Sequence, residues 1–122
     1  MNELVNRLIE EMNSDDWFTT NLRVYMIWDD SKYIKMINLI KAIISNYQQN
    51  YLIPKILIYF FSFDVDMIFS ICKNKLFFDI KSDTIGNKIE YKKLVERRIM
   101  ELEEMKNNFF LGEGNLDLRK PW

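Results

Sequence analysis

The stretch Asp29-Asp30-Ser31-Lys32-Tyr33-Ile34-Lys35-Met36-Ile37-Asn38-Leu39-Ile40-Lys41-Ala42-Ile43-Ile44-Ser45-Asn46-Tyr47 decides the fold class of this chain. Tyr33, Ile34, Met36, Ile37, Leu39, Ile40, Ile43, Ile44 and Tyr47 are apolar or aromatic, and a polar stripe runs through Lys35, Asn38, Ala42, Ser45 and Gln49. That spacing describes a helix with a wide buried face, preceded by acids and a serine suited to its N-terminus. A helix that must cover so much apolar surface needs other helices around it, so the reading is a mainly α, compact single-domain bundle of about five to six helices.

The flanks agree. Leu4, Val5, Leu8, Ile9 and Met12 form one face of a short helix ending near Asn13, with Asn2 as a cap. Ser14-Asp15-Asp16 offers a second N-cap, followed by a helical face at Trp17, Phe18, Leu22, Tyr25 and Met26. Leu22, Val24, Met26 and Trp28 also alternate as a strand does, which leaves that segment open. After the polar break Asn46 to Asn50, Pro54 suits a helical first turn, with Ile53, Ile56, Leu57, Phe60 and Phe61 buried nearly all round.

Residues 64–80 read two ways. Asp64-Val65-Asp66 can start a helix through Asn74, or a β-hairpin can occupy residues 67–80 with its turn at Lys73-Asn74-Lys75, giving an α+β alternative with a small antiparallel sheet. The connector lacks the glycine that tight hairpins prefer, which favours the helix. Residues 81–86 read as loop. Asn87 with Glu90 three residues on resembles a capping box, opening a helix with Tyr91, Leu94, Val95, Leu102 and Met105 inward and an end near Asn107-Asn108. Residues 1–110 then make one globular domain, and 111–122, with Gly112, Gly114 and Pro121, an irregular tail. Only three glycines, two prolines and one alanine occur, too little turn punctuation for an all-β fold.

Composition narrows function. The 122 residues contain no histidine, which removes the usual general base, the usual transition-metal ligand and every histidine-containing triad. The single cysteine, Cys72, lies in the apolar run Ile68-Phe69-Ser70-Ile71-Cys72 and reads as a small buried hydrophobe. The acidic pairs Asp15-Asp16 and Asp29-Asp30 read as helix caps. Asp64-Val65-Asp66 has Asp-x-Asp spacing but no accompanying phosphate loop. The expectation is therefore a protein that is not an enzyme and carries no metal or cofactor. Seventeen basic and eighteen acidic residues give a net charge of -1, which disfavours nucleic acid as a partner. The basic cluster Lys92-Lys93 and Arg97-Arg98 alternates with glutamates and reads as a salt-bridged helix face. Lys55, Asp64 and Asp66 divide the most apolar run, Tyr51 to Cys72, into pieces too short for a bilayer, and the N-terminus lacks a secretion pattern, so no membrane partner and a cytoplasmic location are expected.

Aromatic residues make up 15% of the chain. Trp28 beside Asp29-Asp30 and Trp122 beside Arg119-Lys120 combine a large ring with charge, the composition of a binding anchor. With Asp15-Asp16, Asp29-Asp30, Asp64, Asp66, the cluster Glu101, Glu103, Glu104 and the absence of histidine, the chain resembles the immunity proteins of bacterial contact-dependent growth inhibition and related polymorphic toxin systems. The resemblance implies tight binding of one cognate protein toxin, commonly a basic nuclease, by an inhibitor that covers its active site. The candidate partner-binding residues are Trp28, Asp29, Asp30, Asp64, Asp66, Glu101, Glu104 and Trp122. Two other readings stay open: a phage- or plasmid-encoded regulatory protein acting on a host protein, and a DNA-associated factor with a helix-turn-helix near residues 14–46. Sparse basic residues there argue against the last.

Overall fold

A computed structural model describes residues 2–47, 53–74, 76–80 and 87–111. The chain is mainly α, and no strand occurs among the described residues. Helices α1 (Asn2–Met12), α2 (Phe18–Tyr25) and α3 (Asp30–Tyr47) lead into one continuous rod built from α4 (Lys55–Tyr59), a π-helical turn (Phe60–Asp64) and α5 (Val65–Lys73). A single turn, α6 (Phe77–Ile80), precedes the long α7 (Lys88–Leu111). Both α1 and α2 pack on α3, and α5 packs on α2, α6 and α7.

The helix termini show how local chemistry sets the boundaries. Asp29 Oδ1 accepts from Lys32 N–H at 3.3 Å, capping α3, and Asn87 Oδ1 accepts from Glu90 N–H at 3.1 Å, capping α7. Ser14 serves differently from its expected cap role: its Oγ accepts from Asp16 N–H in a turn, and Trp17 occupies the N-cap position of α2 with no side-chain cap bond. Helix α2 ends at Met26, which adopts the left-handed conformation (φ 56°, ψ 33°) and donates its N–H to Leu22 O. The strand reading of residues 22–28 fails there, since Val24 is exposed within a helix. Pro54 sits at the N-cap of α4, where its missing N–H leaves no bond unmade.

The hairpin alternative for residues 67–80 does not form. Helix α5 continues to Lys73, and Asn74 Oδ1 accepts from Leu76 N–H at 2.9 Å in a turn that starts α6. The π-helical turn lies mid-rod, where Val65 N–H bonds to Phe60 O five residues back. Burial of the rod is one-sided: Leu57, Phe60, Phe61, Val65 and Ile68 are at most 1% exposed, whereas Ile58, Tyr59 and Phe63 face outward.

One cluster forms the core. Phe18, Trp28 and Tyr33 make mutual ring contacts at centroid distances of 4.7, 5.5 and 5.1 Å. Phe61 stacks on Phe109 at 4.4 Å, which carries α7 past its expected end at Asn107-Asn108 to Leu111. Among the described residues no buried side-chain nitrogen or oxygen lacks a hydrogen-bond partner, the condition for a core to specify one packing.

Candidate protein-binding surfaces

A groove of about 760 Å³ runs between α3 and α7. It exists because the apolar face of α3 is wider than its neighbours can cover. Ile34 stays 42% exposed, and Ile37, Ile44, Met105 and Phe109 complete an apolar floor. Lys41 stands on one wall, and Arg98, Glu101 and Glu104 on the other.

At the Arg98 end the polar residues are locked together. Arg98 Nε and Nη2 donate to Asp30 Oδ1 and Oδ2, both at 2.9 Å, while Nη1 donates to Glu101 at 2.8 Å. The guanidinium also lies 5.5 Å from the Tyr33 ring centroid, and Tyr33 Oη donates to Arg98 O at 3.4 Å. Burial works against the Asp30 charge, but hydrogen bonds from Arg98 and Trp28 outweigh it and hold the carboxyl below its ordinary range. The same bonds to Asp30 and Glu101 keep Arg98 protonated.

The sequence-based candidates separate into distinct places. Trp28 is only 4% exposed, with its Nε1–H on Asp30 Oδ1 at 3.1 Å and its backbone N–H on Tyr91 Oη at 2.8 Å; it is a core residue, not an exposed anchor. Asp29 caps α3 and accepts from Ser31 Oγ at 2.7 Å, which lowers its pKa. Glu101 and Glu104 line the groove, and Asp30 is bound to the groove's Arg98. Asp66 lies elsewhere, paired with Lys106 at 2.6 Å, and Glu103 pairs with Lys73 at 3.0 Å. Trp122 lies outside the described residues.

Asp64 belongs to a second cleft, of about 420 Å³, where α1, α2 and the rod meet. Its Oδ2 accepts from Trp17 Nε1 at 2.8 Å and from Thr19 Oγ1 at 3.0 Å. Burial raises its pKa above the ordinary carboxylate value, and those two bonds offset only part of the rise. Arg23, Thr20, Tyr59 and Met67 also line the cleft. Beside it Tyr59 and Phe63 contact each other at 5.0 Å and are 49% and 62% exposed. None of these lining residues was singled out from sequence as a binding residue. The available signal was the spacing Tyr59, Phe63, Met67, a helical stripe opposite the buried one.

Cys72 is buried, and desolvation pushes its thiol up to about 12, so it is not a ready nucleophile. Among the described residues no group of three or more Cys, Asp or Glu side chains is placed to hold a metal ion, and no helix is long and apolar enough to cross a membrane. No protein-family model, no curated protein and no solved structure matches the chain.

Proposed function

We propose that this chain is an immunity protein that acts in the bacterial cytoplasm, binding a cognate protein toxin, a basic nuclease domain, through the α3–α7 groove and occluding its active site. The observation that carries the reading is the pairing of an apolar groove floor, Ile34, Ile37, Ile44 and Met105, with the Glu104 carboxylate along its edge, next to the Glu101–Arg98 pair. An apolar floor supplies residence time, and a carboxylate edge steers a basic partner and fixes its orientation. A groove between two helices suits an inserted helix or extended segment. Nuclease surfaces are basic because they hold phosphate, so local acids are complementary to them even on a chain of nearly balanced charge.

The test is co-expression with the protein encoded immediately upstream, followed by purification and a cell-survival assay. The expected result is a stoichiometric complex and protection, both weakened by Glu104→Lys and by Ile34→Asp. An upstream gene that encodes no toxin, together with no copurifying partner, overturns the reading. So does full protection by a folded Ile34→Asp, Glu104→Lys double variant.

A further inference from the structure

Three of the candidate acids meet cations of this same chain: Asp30 and Glu101 share Arg98, and Asp66 holds Lys106. Much of their field is therefore cancelled before any partner arrives. Asp64 differs. Its two donors, the Trp17 indole and the Thr19 hydroxyl, are neutral, and both reach the same oxygen, Oδ2. Among the described residues Oδ1 receives no hydrogen bond. Because no buried side-chain oxygen there lacks a partner, Oδ1 is not fully buried, and Asp64 lines the cleft. Arg23 is the other charged residue of the lining; it is exposed and makes no ion pair with Asp64.

The surroundings specify more than charge. Tyr59, Met67 (38% exposed) and Ile9 (42%) supply apolar surface to the cleft wall, and Phe63 lies outside it, against the Tyr59 ring. Aromatic faces beside a desolvated carboxylate favour a flat, weakly hydrated cation over a compact, strongly hydrated one. A volume of about 420 Å³ is ample for one long side chain.

We propose that the Asp64 cleft is a docking subsite for an arginine side chain presented by the protein partner, with the guanidinium on the Asp64 carboxylate and its stem and face against Tyr59 and Met67. The protein nature of the guest rests on the function proposed above; the preference for a guanidinium rests on the cleft alone. Partner binding then uses two contacts: the α3–α7 groove for an apolar segment, and this cleft for one arginine.

The cleft is tested on the full chain without any toxin. N-acetyl-L-arginine amide is titrated into isotope-labelled protein while the Trp17 indole N–H, which touches Asp64, is followed by NMR. N-acetyl-L-citrulline amide serves as the neutral isostere. The arginine probe is expected to move the Trp17 signal saturably and the citrulline probe is not. Asp64→Asn keeps an acceptor for Trp17 and Thr19 while removing the charge, and is expected to weaken the arginine probe roughly tenfold. Thr20→Arg, which leaves Asp64 intact and brings in a competing cation, is expected to block the probe and carries the test if Asp64→Asn does not fold. No saturable shift, an equal response to citrulline, or unchanged binding by folded Asp64→Asn or Thr20→Arg overturns the proposal. Failure here leaves copurification with a toxin unaffected, and failure of copurification leaves the probe result standing.

Discussion

Arg98 and Asp30, separated by 68 residues, meet in a two-bond fork with both N···O distances at 2.9 Å, and this fork ties the first turn of α3 to the middle of α7. The side chains are 19% and 24% exposed, so water screens the pair only in part. Removing one partner leaves the other charge partly desolvated, which costs more than the pair contributes.

Arg98→Met is therefore expected to lower unfolding free energy by about 2 kcal/mol at pH 7, measured by urea denaturation. The pH dependence follows from the depressed Asp30 pKa. A carboxyl whose folded pKa lies below its unfolded value stabilises the fold above the unfolded value, here 3.8, and loses that contribution as pH falls through the folded one. The gap between wild type and Arg98→Met is expected to be constant from pH 5 to 8 and to shrink below about pH 4. An unchanged gap at pH 3 contradicts this role for the fork.

The fork also marks what one sequence can disclose. The helix over Asp30–Tyr47 and the Asn87 cap were legible because both depend on residues within one or two turns of each other. Lys92-Lys93 and Arg97-Arg98 read as one salt-bridged face, yet the partner that defines Arg98 is on another helix, and no local spacing announces it. Trp28 is a related case. The adjacent acids give it the composition of a binding anchor, whereas in the fold Asp30 accepts the indole N–H and Phe18 and Tyr33 cover the ring. Asp64 stands out in the sequence for its Asp-x-Asp spacing, but its neutral donors come from the N-cap and first turn of α2, more than 40 residues away.

Cys72 supplies a second test in alkali. Its folded thiol is pushed up to about 12 from 9.0 by burial. The folded state holds that proton more tightly than the unfolded chain, so stability is full below pH 9 and declines as pH rises toward 12. The decline is expected to approach about 1.4 kcal/mol per pH unit, and Cys72→Ala is expected to reduce it between pH 9 and 10, before the buried tyrosines contribute. Equal slopes for the two proteins exclude a closed environment for the thiol.

Met26 occupies a backbone conformation that a side chain resists. Substituting it outright confuses that strain with lost packing, because the Met26 side chain lies against the core. Comparing two truncations isolates the backbone effect. Met26→Gly is expected to be about 1 kcal/mol more stable than Met26→Ala, since both lose the side chain and only glycine accepts a positive φ freely. If alanine equals or exceeds glycine in thermal and urea melts, α2 does not end in the left-handed turn.

Phe109 decides where α7 ends. Asn107-Asn108 has poor helix propensity, and the last turn is held instead by Phe109 stacked on the fully buried Phe61, with Phe110 edge-on to the same ring at 6.4 Å. Phe109 is half-buried, so Phe109→Ala is expected to cost about 2 kcal/mol, below the range for a fully enclosed ring. The loss has a location as well as a size. Amide exchange should accelerate at residues 107–111 and remain slow around Val95 and Ile99, whose burial does not depend on this contact. The same substitution removes one end of the α3–α7 groove, so it should also speed dissociation of a partner bound there. A cost under about 0.5 kcal/mol with unchanged exchange at residues 107–111 means that the asparagines do not need the ring stack to stay helical.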